Sequence, residues 1–281
     1  IAIIYANGEI NSGKGDHQNI GSITTSKAIK QARKDKNVKA IVLRVNSPGG
    51  SALASDVIWR ESVLAQQAKP LVVSMGDYAA SGGYYIACAA DTIVANPTTL
   101  TGSIGVFGMV PNFKRFYKEN FGINLDTVNT NKYSDMGINR KMTQFEKNKI
   151  QQGVEDIYNV FLSKVGNGRN MTTQAVNEVG QGRIWSGYDA KEIGLIDVFG
   201  GLEKAIEIAK DLAKIEDYRI VSLPKKKDPF TSLMNDFSDM KIADILLKDF
   251  KILNYSQIKK IKNIKKKDRI QARIPYNIIL E

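Results

Sequence analysis

Short apolar runs alternate along this chain with longer segments in which apolar residues recur every three or four positions. Ala40–Val45, Leu71–Met75 and Thr92–Ala95 are runs of strand length, and the chain opens on another, Ile1–Tyr5. Thr24–Lys34, Ala54–Gln67 and Gly82–Ala89 carry helical spacing between them. Strand and helix alternating at this interval predict a parallel, layered α/β fold. Farther on, Ile150, Val154, Ile157, Tyr158, Phe161, Leu162 and Val165 mark one face of a long helix. Thr143, followed three residues later by Glu146, predicts a capping box at its start, and Gly166 predicts its stop. Leu202–Ala213 reads as an amphipathic helix and Tyr218–Leu223 as a closing strand. Pro224 and Lys225–Lys227 then mark a boundary. Residues 1–223 form the predicted α/β domain and 224–281 a basic extension. Within it Phe230–Phe250 has helical spacing, and Arg273–Leu280 reads as a strand or an extended tail.

Composition narrows the class. At 281 residues and 43% hydrophobic content, the chain can bury a full core. No apolar run reaches the length of about 18 residues that a membrane-spanning helix needs. No secretory leader is present, and the chain opens on Ile1 inside a strand pattern without an initiator Met. We read it as a piece of something longer. One cysteine, Cys88, and one histidine, His17, provide neither an internal disulfide nor a zinc cluster, so no metal is expected. Cys88 lies two turns beyond Ser81 and reads as a small buried apolar side chain. The formal charge is +11. Residues 251–281 carry seven lysines and two arginines against Asp268 and Glu281, a local charge of +7. Such a tail is a solvated segment or one drawn to an anionic membrane surface. Nucleic acid is not expected, because no recognition motif or interleaved aromatic set accompanies the charge.

Two motifs carry chemistry. Asn46-Ser47-Pro48-Gly49-Gly50 follows the Ala40–Val45 run, and Ala79-Ala80-Ser81-Gly82-Gly83 follows Leu71–Met75. Each stands after a strand and opens a helix. A serine there has an exposed hydroxyl with backbone N–H groups beside it, and glycine lets the backbone approach a ligand closely. A nucleophile beside two convergent N–H donors is what acyl transfer needs. Ser81 is the candidate nucleophile. The N–H groups of Gly49 and Gly82 are the candidate oxyanion donors.

These residues resemble the signal peptide peptidase A family, membrane-associated serine peptidases of the Clp protease/crotonase superfamily. The resemblance is carried by Lys39–Gly50, Lys69–Met75, Ala79–Ala87, Ile93–Pro97 and Leu100–Gly105, with a weaker echo in Gly182–Gly187 and Ala190–Asp197. It spans residues 1 to about 222. It implies a spiral of parallel strands and helices, and hydrolysis of cleaved signal peptides without a cofactor. It also implies a parent held by a membrane segment, with this part on the extracytoplasmic (periplasmic) side, and a ring or dome of identical subunits.

The base that activates Ser81 is less legible. His17 sits in the polar stretch Gly13–Asn19 and precedes the serine, so a Ser–His–Asp triad is disfavoured. Lysine remains, since burial can bring its pKa toward neutrality. In single-domain members of the family that lysine lies in a Tyr-Lys-Asp segment. Here the corresponding text is Asn131-Lys132-Tyr133-Ser134-Asp135, with Ser134 at the lysine's place. In long tandem members the serine belongs to the C-terminal half and the lysine to the N-terminal half. This chain is therefore expected to be such a C-terminal half, weak or inactive alone, with the missing half as partner. The alternative is Lys132, which shares a face with Ser134 if 131–135 is extended.

Gly50, Leu53 and Ser103 are candidates for the substrate groove, together with Met75, Ile104, Val106, Phe107 and Met109, which by default belong to the core. Two rival functions share the motifs. A crotonase-type acyl-CoA enzyme would use the same fold and oxyanion donors without a nucleophilic serine. A degenerate half would only bind peptides or build a scaffold.

Overall fold

The computed structural model describes residues 1–16, 18–224 and 270–273. His17 and the Phe230–Phe250 segment lie outside the described residues. The elements run β1 (Ala2–Asn7), β2 (Glu9–Asn11), β3 (Asn19–Gly21), α1 (Ser22–Lys34), β4 (Ile41–Ser47), β5 (Gly49–Ser51), α2 (Ala52–Gln66) and β6 (Leu71–Ala80). Then follow α3 (Gly82–Ala87), β7 (Thr92–Ala95), β8 (Leu100–Gly102), β9 (Phe107–Gly108), α4 (Lys114–Phe121), α5 (Gln144–Arg169) and α6 (Thr173–Val179). The last are β10 (Ile184–Ser186), α7 (Gly187–Glu192), β11 (Val198–Phe199), α8 (Leu202–Leu212), β12 (Val221–Leu223) and β13 (Ile270–Arg273).

The main sheet runs β10-β8-β6-β4-β1-β12, with β7 also on β6 and β11 on β7. Every pairing in it is parallel except β10 with β8. This is the expected α/β architecture, and the continuous apolar runs have a simple cause. Both faces of the central strands are covered, so both alternate sets of side chains must be apolar. Ile41, Leu43 and Val45 enter one core with residues of α1, α2 and α3, while Ala40, Val42 and Val72 enter a second core closed by Ala205, Ile206 and Ala209 of α8.

A smaller sheet runs β3-β2-β5-β13-β9. Its β13 belongs to the segment expected to stand apart as a basic extension. Instead, residues 270–273 lie on the domain, antiparallel to both β5 and β9, with Ala272 fully buried. These four residues of the 224–281 segment thus complete the smaller sheet: a strand pairs where partners offer free backbone groups, wherever it lies in sequence. Residues 274–280 lie outside the described residues.

The long helix begins as expected. Thr143 and Glu146 form the reciprocal capping box, and Glu146 also accepts from Arg140. Gly166 does not stop the helix, which continues to Arg169 and ends on left-handed Asn170. A Cβ at Gly168 would lie 2.0 Å from the Cys88 carbonyl, so Gly168 lets α5 press close on the end of α3.

Arg140 ties the 131–142 segment to α5. Its guanidinium donates to Asp135 (2.6 and 2.8 Å) and to Glu146 (2.6 and 2.8 Å). Hydrogen bonds from Arg140 hold both carboxyls down to about 2. Their folded pKa lies below the unfolded value, so the stabilisation is complete above about pH 5 and is lost as pH falls toward 2. Amide protection across residues 131–146 is expected to drop through that window, and Arg140→Ala to remove the dependence. Unchanged protection between about pH 5 and pH 2 would contradict this linkage.

Candidate active site

The β4–β6 pairing places the serine. It is in register from Ile41↔Leu71 to Val45↔Met75, then shifts so that Ser47 faces Ala79. The extra residues carry β6 past its expected end at Met75 to Ala80, and Ser81 follows at the mouth of α3. Ser81 adopts φ 54° and ψ −115°, a sparsely populated conformation for a residue with a Cβ. Its N–H donates to the Gly102 carbonyl at 2.8 Å, and its carbonyl accepts from Tyr85 N–H at 2.8 Å, closing the first helical turn. The backbone is held from both sides, which is how a sharp strand-to-helix turn is maintained and how such a turn aims a nucleophile.

Its hydroxyl differs from expectation. Ser81 is fully buried rather than exposed. Its Oγ donates to the Gly105 carbonyl at 3.3 Å. A carbonyl orients a hydroxyl but cannot take its proton at neutral pH. Next to it β13 comes close: a Cβ built on Gly82 would lie 2.8 Å from the Ala272 carbonyl oxygen.

The glycines converge on that same oxygen. A Cβ on Gly49 would lie 2.2 Å from the Ala272 oxygen and 2.7 Å from the Gly82 nitrogen. Gly49 has φ +96°, so glycine is required there on both grounds. The Gly49 N–H itself, however, donates to Ser47 Oγ at 3.1 Å, and Ser47 Oγ donates on to the Gly8 carbonyl. The expected free donor at Gly49 is thus occupied. Gly50 nitrogen lies 3.1 Å from a Cβ position on Gly82, which brings a second backbone N–H to the same place. Gly50, expected in the groove, faces Ala272 across the β5–β13 ladder.

The lysine candidate fares differently. Residues 131–135 form a turn rather than an extended segment, with Ser134 N–H and Oγ both on the Asn131 carbonyl. Lys132 is exposed, its ammonium 5.6 Å from the Tyr133 ring centre. Local hydrogen bonding curls the segment, so Lys132 and Ser134 do not share the strand face that substitution would need. Among the described residues, no lysine hydrogen-bonds Ser81.

Of the groove candidates, Met75 and Ile104 are fully buried core residues, while Leu53 and Met109 are exposed. Ser103, at φ 47°, lines a cavity of about 490 Å³ with Gly105, Val106, Phe107, Tyr158 and Arg273. It opens beside the Ser81 hydroxyl's partner Gly105.

Around α3 the ionisable groups are locked in place. Burial pushes the Cys88 thiol up to about 12, so it stays protonated and inert, as expected of a core cysteine. Burial also raises the Tyr84 phenol, which donates to the Leu195 carbonyl, and the Tyr85 phenol, which donates to Asp56. Lys164 pairs with the same Asp56 and lies 3.7 Å above the Trp59 ring. No spacing in the sequence predicts this cluster, because its members come from three helices.

The site thus gathers a strained serine at a helix mouth, backbone N–H groups beside it and a strand close to both. The chain belongs to peptidase family S49, whose sequence model matches residues 64–216. It is similar to Protease 4 of Salmonella typhi (42% identity over 221 residues, 78% of this chain and 36% of that protein). It is also similar to the chloroplastic serine protease SPPA of Arabidopsis thaliana (41% over 239 residues, 83% and 35%). A putative signal peptide peptidase SppA of Enterococcus faecium shares 34% over 244 residues, 86% of this chain and 69% of that protein. The chain thus spans only about a third of the length of the first two relatives. Among solved structures, a point mutant of ClpP1 from Listeria monocytogenes is similar at TM-score 0.48 and 14% identity, covering 73% of this chain and 94% of that one. Among the described residues, no helix is long and apolar enough to cross a membrane.

Proposed function

We propose that the chain is the serine-bearing part of an endopeptidase that degrades cleaved signal peptides through a Ser/Lys pair. The observation that carries this reading is the placement of Ser81: buried, strained at φ 54°, with Gly82 and Gly50 nitrogens gathered where a peptide carbonyl lies. Ser81 Oγ attacks the scissile carbonyl carbon, and the negative charge that forms on its oxygen is met by the Gly82 N–H and the Gly50 N–H. Collapse of that intermediate breaks the C–N bond and leaves an ester on Ser81. Water then attacks the ester and frees the acid. The proton leaving Ser81 goes to a lysine and then to the departing amine. Lys132, exposed and in a turn, is poorly placed for that, which favours a lysine from an N-terminal half of a longer parent. The parent acts at the membrane on its extracytoplasmic side and assembles with copies of itself. The basic residues of 251–281 would favour an anionic surface.

Apolar signal-peptide sequences incubated with the longer parent are expected to be cut internally, with fragments seen by mass spectrometry. Resistance of such peptides, alongside cleavage of polar ones, would remove the signal-peptide assignment.

A further inference from the structure

We propose that the groove between β5 and β9 binds extended peptides in which a small residue is followed directly by a basic one, and that Glu9 reads the basic side chain. The proposal rests on the peptidase reading only for the identity of the groove. The groove holds the chain's own strand. Ile270–Arg273 lies antiparallel on β5, with Gln271 opposite Ser51, Ala272 opposite Gly50 and Arg273 opposite Gly49, and its other edge meets Phe107 and Gly108 of β9. A strand added between two edges is a recurrent mode of peptide capture, in which backbone bonds give affinity and alternate side chains give selectivity.

The two side-chain positions differ sharply. Ala272 falls in line with Gly50 and Ile10 across the sheet, and both Ala272 and Ile10 are fully buried. Its carbonyl oxygen is wedged against Gly49 and Gly82. The Ala272 side chain is itself fully enclosed, so a bulky one would have to displace its neighbours and the position takes a small residue. Arg273 projects from the opposite face of the strand. It stands opposite Gly49, and the β2–β5 register puts Glu9 just beyond. Two strand spacings are about 9.6 Å, within reach of an arginine if nothing stands between. Gly49 offers no side chain, and the Arg273 guanidinium meets Glu9 Oε1 at 2.9 Å, each side chain about one-fifth exposed (21% and 22%). A partly covered pair is screened less than a surface one. The glycine that lets the Ala272 carbonyl approach Gly82 is therefore also the gap through which a ligand's basic group reaches Glu9.

The test uses the 281-residue chain with Arg273→Ala, which removes the internal competitor's charge. Fluorescence anisotropy compares two capped, labelled peptides, Arg-Ile-Gln-Ala-Arg-Ile and Arg-Ile-Gln-Ala-Glu-Ile. The first is expected to bind about fivefold to tenfold more tightly. Adding Glu9→Lys is expected to reverse the preference, and adding Glu9→Gln to reduce it below about twofold, which serves if the lysine variant folds poorly. Equal affinities in all three proteins, or binding of neither peptide at millimolar concentration, overturn the proposal. Binding needs no turnover by this chain: a charge preference here, with no Ser81-dependent cleavage by the longer parent, would keep this inference and sink the peptidase reading, while cleavage by the parent that is indifferent to the charge would do the reverse.

Discussion

Ser81→Ala, made in the longer parent, is expected to lower peptide turnover by on the order of 10⁴–10⁶-fold while leaving the fold intact. The nucleophile is lost, and the oxyanion donors alone retain only residual catalysis. Stability should hardly change. The hydroxyl makes one long hydrogen bond, 3.3 Å to the Gly105 carbonyl, and alanine keeps the Cβ at the same strained φ. Loss of such a bond costs about 1 kcal/mol or less. Turnover near the wild-type rate with unchanged thermal unfolding would show that another group attacks.

The second large effect concerns the base. The isolated 281-residue chain is expected to hydrolyse a small peptide ester about 10²–10⁴-fold more slowly than the complete enzyme, because no lysine among the described residues serves Ser81. Supplying the N-terminal half should restore the rate, and replacing that half's lysine by alanine should abolish the rescue. Lys132→Ala is expected to leave the isolated chain's low rate unchanged. Vigorous activity of the isolated chain that disappears on Lys132→Ala would overturn the split-site account and require the 131–135 turn to open.

What the sequence revealed is what local physics determines. The apolar runs become strands because both sheet faces are buried, and Thr143 with Glu146 caps α5 because that box is a matter of three-residue spacing. The position of Ser81 between β6 and α3 was legible because strand, serine and glycine pair are contiguous. The features that escaped are non-local. The Ala272 carbonyl closes on Gly49 and Gly82 from far along the chain, and the Glu9–Arg273 pair joins residues 264 positions apart. Nothing in the local text of 270–273 marks it as the partner of β5. The occupation of Gly49 N–H by Ser47 was equally hidden, since a glycine pair announces close approach without saying which N–H remains available. Lys132 misled through an assumption of extended backbone, which the Asn131 carbonyl defeats by binding Ser134 twice.

The central claim is that Ser81 is the nucleophile, and the most direct measurement is covalent labelling. The 281-residue chain is exposed for hours to a fluorophosphonate, digested, and the modified residue located by mass spectrometry. The account predicts one slow, stoichiometric adduct on Ser81, faster when the lysine-bearing half is added and absent in Ser81→Ala. An adduct on a different residue, or none under conditions where the complete enzyme cleaves peptides, would contradict it.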